Sequence, residues 1–232
     1  MKHLILFVLY FSIFMGAIHG HSQELPKLAY TYLPVLKADI DNLDFPTQYK
    51  ASMAGQVEQE SCIFLKSKLC WNPHVELRTS RETGVGVGQL TIAYNKNGSV
   101  RFNAFSDAVR QYKQLHGWTW VDRFNPKMQF LALILKDKTS FEYMRFAANY
   151  YERIAMALVG YNGGIGSVLK DRQLCLHISG CDASKWFGNI ELHSTKSRKA
   201  MSGYGQSPFQ ISREYPINIL KIRMLKYEAY IN

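Results

Sequence analysis

The chain of 232 residues is 47% hydrophobic, 13% aromatic and 20% charged, with a formal net charge of +10. That balance excludes a disordered or fibrous chain, and the length suits one domain with its own core or one domain with a modest extension. The positive excess suits an acidic polymer as partner, but no helix-turn-helix, zinc-finger or RNA-binding signature accompanies it, so nucleic acid is not expected.

Residues 1–22 read as a secretory signal peptide. Lys2 supplies the positive start, residues 4–18 run apolar except for Ser12 and Gly16, and the small residues Gly20 and Ser22 follow. The run is short for a membrane span, and no later stretch is long and apolar enough for one. The expected product starts near Gln23 and is exported to the periplasm or the extracellular space, with no stable membrane insertion.

Residues 23–47 carry Pro26 and Pro34 and read as a lead-in, an extended arm with a short helix. Residues 49–60 contain no proline and space Ala51, Ala54, Val57 and Ser61 helically, which places Glu60 near a helix C-terminus. Residues 62–103 read as loops with a small hairpin turning at Asn97-Gly98. Helical patterns cover 106–115, 127–136 and 141–159, the last stopping at Gly160, with a short helix over 165–174. Residues 186–212 read as irregular and partly basic. Residues 214–230 read as a terminal helix with Pro216 in its first turn. The fold class is mainly α, an α+β chain with a small β-hairpin element.

The four cysteines lie after the signal segment, and an even count in an exported chain predicts disulfides. Three pairings are possible. The sequence-local ones, Cys62–Cys70 and Cys175–Cys181, are expected because both close short loops. A zinc site of four thiolates is the rival, but the spacings are wide and no histidine lies in ligand register, so no metal and no cofactor is expected.

Three segments carry chemistry: Gln59-Glu60-Ser61 at a helix end, Gly84-Val85-Gly86-Val87-Gly88-Gln89-Leu90, and Val159-Gly160-Tyr161-Asn162-Gly163-Gly164. Each alone has a bland reading: a solvated carboxylate, a flexible loop, and a helix stop with a turn. The glycine segment is not a dinucleotide or P-loop fingerprint, because no strand–helix unit frames it and no Gly-Lys-Ser/Thr follows.

Together and in this order, the three segments resemble the catalytic motifs of the lytic transglycosylases and the related goose-type lysozymes. Trp71-Asn72-Pro73 adds to the likeness, which covers roughly residues 48–170 by element count. The resemblance implies a lysozyme-like catalytic domain over 48–175, with residues 176–232 as an extension packing on it. It implies peptidoglycan glycan strands as substrate, a monomeric enzyme, and Glu60 as the catalytic acid/base. Gln89 would hydrogen-bond the glycan, and Ser61 would orient Glu60 or touch substrate. Tyr161 and Asn162 would place the sugar, while Gly86 and Gly88 would let the backbone approach it. The sequence departs from the family in three places. The stretch from Ser61 to Asn72 is longer than usual, Gly160 stands where alanine is usual, and Val87-Gly88 replaces bulkier pairs.

A glycosidase acid must still hold its proton near neutral pH, which desolvation in a cleft achieves for a carboxyl. The transglycosylases use no second carboxylate and close a 1,6-anhydro ring. Glu82, just before the glycine segment, is the possible second carboxylate of a hydrolase, although Arg78 or Arg81 also suits it as a surface partner. A hydrolase on the same fold, a non-catalytic envelope glycan-binding protein and an exported nucleic-acid binder are the competing readings.

Overall fold

The computed structural model describes residues 24–46, 49–62, 68–201 and 205–231; the expected signal peptide lies outside them. The fold is α+β with a helical majority: eight α-helices and one four-stranded antiparallel sheet among the described residues.

The lead-in is more regular than the sequence reading expected. It forms α1, Lys27–Asn42, a helix of 16 residues that begins after Pro26 and contains Pro34. An interior proline costs about 3 kcal/mol. The helix buries Ala29, Leu33, Leu36 and Ile40 on one face, and at about 1.5–3 kcal/mol for each large side chain that burial outweighs the break.

Helix α2, Lys50–Ser61, is the centre of the molecule and is buried almost all round, from Ala51 to Glu58. Gly55 is part of the reason. A Cβ there would meet the backbone nitrogen of Met224 at 3.0 Å, so its bareness lets the C-terminal segment cross close against α2.

The sheet is a meander, β1 (Glu76–Arg78), β2 (Glu82–Val85), β3 (Leu90–Tyr94) and β4 (Val100–Asn103), with neighbours in chain order. The expected hairpin is its β3–β4 edge, turning at Gly98 with φ +81°; two further strands extend it.

Helix α3 spans Ala104–Gln111 and α4 spans Pro126–Tyr143. Helix α5 spans Tyr150–Gly163 and α6 spans Ile165–Leu176. The single helix expected over 141–159 is corrected: Phe141 belongs to the end of α4, and α5 starts afresh. The apolar pattern is continuous across the junction, but Asn149 is extended there (φ −158°). Its side chain accepts from the Glu152 N–H at 3.0 Å, so it caps a new helix.

The terminal helix is corrected too. Helix α7 spans Pro208–Ile217, capped by Ser207 and Gln210 in a reciprocal box, so Pro216 lies inside it and Pro208 occupies the first turn. After Pro216, which cannot donate to the helix ladder, the chain winds wider over Asn218–Arg223 before α8, Glu228–Ile231.

Cys62–Cys70 and Cys175–Cys181 are disulfides. They are compatible with an oxidising compartment. Among the described residues no helix is long and apolar enough to cross a membrane. One core cluster runs from Leu25 to Ile231, so residues beyond 175 share the core of α2, α4 and α5. A second cluster, including Leu90, Phe105, Trp118 and Leu135, joins the sheet to α3 and α4.

Candidate active site

Antiparallel partners share a sheet face, and successive residues alternate between faces. The register pairs Leu77 with Gly84 and Gly84 with Thr91, while Glu82 lies two residues from Gly84. These four side-chain positions therefore share one face, and all four line a cleft of about 840 Å³. Opposite them the cleft is bounded by the end of α2, with Gln59 and Glu60, and by α7, with Ile211, Glu214 and Tyr215. Asn162, in the last turn of α5, Gln89 and Arg81 also line it.

Glu60 is half-buried in the last turn of α2. Burial pushes its carboxyl up to about 7, against the opposing effects of the Tyr215 hydrogen bond and the Lys136 charge. The Tyr215 hydroxyl donates to Glu60 Oε1. Burial and the Glu60 charge raise the Tyr215 hydroxyl well above its ordinary range, so it remains a donor. Lys136 is held below the usual lysine range by burial, with Glu60 and Asp137 pulling it back. Its Nζ lies 4.3 Å from the centroid of the Tyr161 ring. The result is a carboxyl that shares its proton with water near neutrality, held in place by a neutral phenol.

The glycine segment is shaped by side chains packed onto it. A Cβ on Gly86, which has φ +72°, would lie 2.3 Å from the Gln129 amide carbon. That amide is clamped: its Oε1 accepts from the Val87 N–H at 3.0 Å, and its Nε2 donates to the carbonyls of Pro73 (2.9 Å) and Arg123 (2.8 Å). A Cβ on Gly88 would lie 2.8 Å from the Tyr161 hydroxyl, which donates to the Gly88 carbonyl at 2.5 Å.

Gln89 follows with φ +42°, a left-handed conformation uncommon outside glycine. Its Nε2 donates to the Gly86 carbonyl at 2.9 Å, and its buried Oε1 has no donor among the described residues. A strained, incompletely satisfied residue in a cleft wall is a functional signal, because such features persist only where the surroundings impose them.

The expected site residues thus separate into two groups. Glu60, Gln89, Asn162 and Glu82 line the cleft. Ser61, Gly88 and Tyr161 are buried behind it. The Ser61 hydroxyl donates to the Val57 carbonyl at 2.5 Å and accepts from the Trp71 N–H at 2.7 Å, tying the helix end to the following loop. Arg78, a suggested partner of Glu82, instead forms an ion pair with Glu76 at 2.8 Å.

Tyr215, Lys136, Gln129 and Glu214 were not foreseen. Only proximity in the fold marks them, since none lies in the three segments. Glu214 adds another carboxylate to the cleft and accepts from Gln206 Nε2 at 2.6 Å. Glu58, two residues before Glu60, faces the C-terminal segment. It accepts from Lys226 and from Tyr227, whose hydroxyl in turn accepts from the Trp71 indole at 2.7 Å. Among the described residues no group of three or more His, Cys, Asp or Glu is placed to hold a metal ion.

No protein-family model matches the chain, and no curated protein is significantly similar to it.

Proposed function

We propose that this chain is a peptidoglycan lytic transglycosylase with a lysozyme-like fold, exported to the periplasm or beyond, working as a monomer without a cofactor. The observation that carries the reading is Glu60: a carboxyl at a cleft wall, pushed up to about 7 and held by Tyr215. Such a group exchanges its proton readily near neutral pH, which suits one residue that must both give and take a proton. The cleft volume of about 840 Å³ is in the range of ligand sites, and the net charge of +10 suits a polymer bearing carboxylates.

In the proposed reaction Glu60 gives its proton to the glycosidic oxygen as the bond between N-acetylmuramic acid and N-acetylglucosamine breaks. The N-acetyl group of the sugar shields the developing cation. The carboxylate then takes the proton of the 6-hydroxyl, whose oxygen bonds to the anomeric carbon and closes the 1,6-anhydro ring. Glu60 ends protonated, as it began. Gln89 and Asn162 bind the glycan at the cleft wall, while Ser61, Gly88 and Tyr161 hold that wall from behind.

A second reading, hydrolysis, is favoured by one observation: Glu82 lies on the sheet face that lines the same cleft. It would activate water in place of the 6-hydroxyl. Clearing of a suspension of purified cell walls tests the shared claim. The wild type clears it, Glu60→Gln does not, and an inert wild type refutes both readings.

A further inference from the structure

The sheet has a second face, and it carries a second cavity. Thr91 lines the cleft, so its neighbour Ile92 points to the other side, where it pairs with Asn103. There Ile92 and Asn103, the α3 residues Phe105 and Arg110, and the turn residues Trp118 and Trp120 line an open cavity of about 450 Å³.

The lining is strongly aromatic. Phe105 and Trp118 pack at 4.4 Å between ring centroids, and Trp120 meets Phe105 edge-on at 5.3 Å. Phe105 and Trp118 are buried, but Trp120 remains 38% exposed. The polar groups sit among the rings. Asn103 uses its Oδ1 to cap α3, accepting from the Ser106 N–H at 3.0 Å, and keeps its amide hydrogens as donors. Arg110 pairs with Asp107 through one nitrogen of its fork; the Arg123 guanidinium, outside the lining and ion-paired with Glu76 at 3.2 Å, lies 4.9 Å from the Trp120 ring centroid.

We infer that this cavity is a second glycan site, taking a strand of the same acidic wall polymer on the face opposite the cleft. A pyranose ring offers a flat C–H face to an aromatic ring and a girdle of hydroxyls to nearby donors. Aromatic walls with a few placed polar groups fit that chemistry. Arg110, which lines the cavity and engages Asp107 through one nitrogen only, suits a carboxylate of a muramic acid strand better than a neutral sugar or an apolar ligand. Two sites on opposite sheet faces let the protein hold one strand while cutting its neighbour. The choice of polymer rests on the proposed function.

The test uses the full chain carrying Glu60→Gln, labelled with ¹⁵N, and a trimer of N-acetylglucosamine followed by soluble peptidoglycan fragments. The sequence has four tryptophans, and among the described residues none lines the cleft. Indole N–H signals therefore report the second cavity, with the fully buried Trp71 and Trp186 as internal controls. The expected result is a saturable shift of the Trp118 and Trp120 signals, tighter for the acidic fragments. Trp120→Ala and Arg110→Ala should each weaken retention on insoluble walls by about three- to tenfold, with unchanged turnover of short soluble fragments by the corresponding proteins that keep Glu60. Stationary Trp118 and Trp120 signals overturn the proposal and leave the cavity to an apolar ligand or a protein partner. If the signals shift while the Glu60 protein leaves walls uncut, the cavity assignment stands and the catalytic one falls.

Discussion

The Tyr215 hydroxyl hydrogen-bonds Glu60 Oε1 across 155 residues of sequence. A residue from the last fifth of the chain thereby holds the carboxyl at the end of α2 and partly offsets the effect of burial on its acidity. The C-terminal extension is part of the site rather than an accessory to it, since Ile211, Glu214 and Tyr215 form one wall of the cleft.

Replacing Glu60 by Gln removes the proton donor and keeps its shape. Wall-clearing activity should fall by about 10²–10⁴-fold, the usual contribution of a positioned acid. Stability should move the other way. In the unfolded chain Glu60 ionises near its ordinary value of 4.5, whereas in the native protein it does so near 7. The native state binds the extra proton, so stability falls as pH rises through that window and is lowest above it. Glu60→Gln escapes this loss, with an expected advantage of the order of 1–3 kcal/mol at pH 8 that shrinks toward pH 4. Denaturant titrations at the two pH values measure it.

The rate should have an alkaline limb from the same group. With the acid at about 7, kcat/KM declines as pH rises past neutrality. The Tyr215 hydrogen bond opposes the upward shift, so Tyr215→Phe should raise the Glu60 pKa further. The limb should then move to higher pH by about one unit. A limb that moves down, or stays where it is, contradicts the positioning role of Tyr215.

Gly86 and Gly164, both with positive φ, should differ in their tolerance of alanine. At Gly86 the added Cβ meets the clamped Gln129 amide at 2.3 Å, while at Gly164, φ +83°, it meets nothing within 4 Å. Gly164→Ala should cost about 1–3 kcal/mol from backbone strain alone, because φ +83° with ψ 137° is a conformation essentially reserved for glycine. Gly86→Ala adds the loss of the Gln129 hydrogen bonds and should cost about 2–4 kcal/mol, with loss of activity because the cleft wall shifts. Thermal unfolding of the two variants side by side checks the ordering.

The Cys62–Cys70 disulfide closes a loop of sequence separation 8 immediately after α2. Removing it as the double Cys→Ser variant should cost about 2–3 kcal/mol through the freed unfolded chain. Peptide mapping without reductant should recover this pair and Cys175–Cys181. A crossed pair in the mapping contradicts the assignment.

What the sequence made legible was local. Glu60 at a helix end, both cysteine pairs and the Asn97-Gly98 turn depend on residues within about ten positions of one another, and pattern and turn chemistry suffice for them. The helix break at Asn149 was hidden because the apolar spacing runs through it, and a single cap decides the matter. Pro34 and Pro216 misled in opposite directions. Burial carries α1 past the first, and α7 begins eight residues before the second. The spacing of Gly86 and Gly88 is visible in the sequence, but its cause is not. Gln129 and Tyr161 come from helices far along the chain, and no local rule announces which side chain will fill a glycine's space. Tyr215 was invisible for the same reason.

The central claim is that Glu60 cleaves wall glycan by closing an anhydro ring. Mass spectrometry of the products released from purified peptidoglycan tests it most directly, because an anhydro product is one water lighter than a hydrolysed one. Anhydromuramyl products are expected from the first time points with the wild-type protein and none with Glu60→Gln. Reducing-end products from the start would contradict the ring closure and turn attention to Glu82. Equal release by the Glu60→Gln protein would contradict the account as a whole.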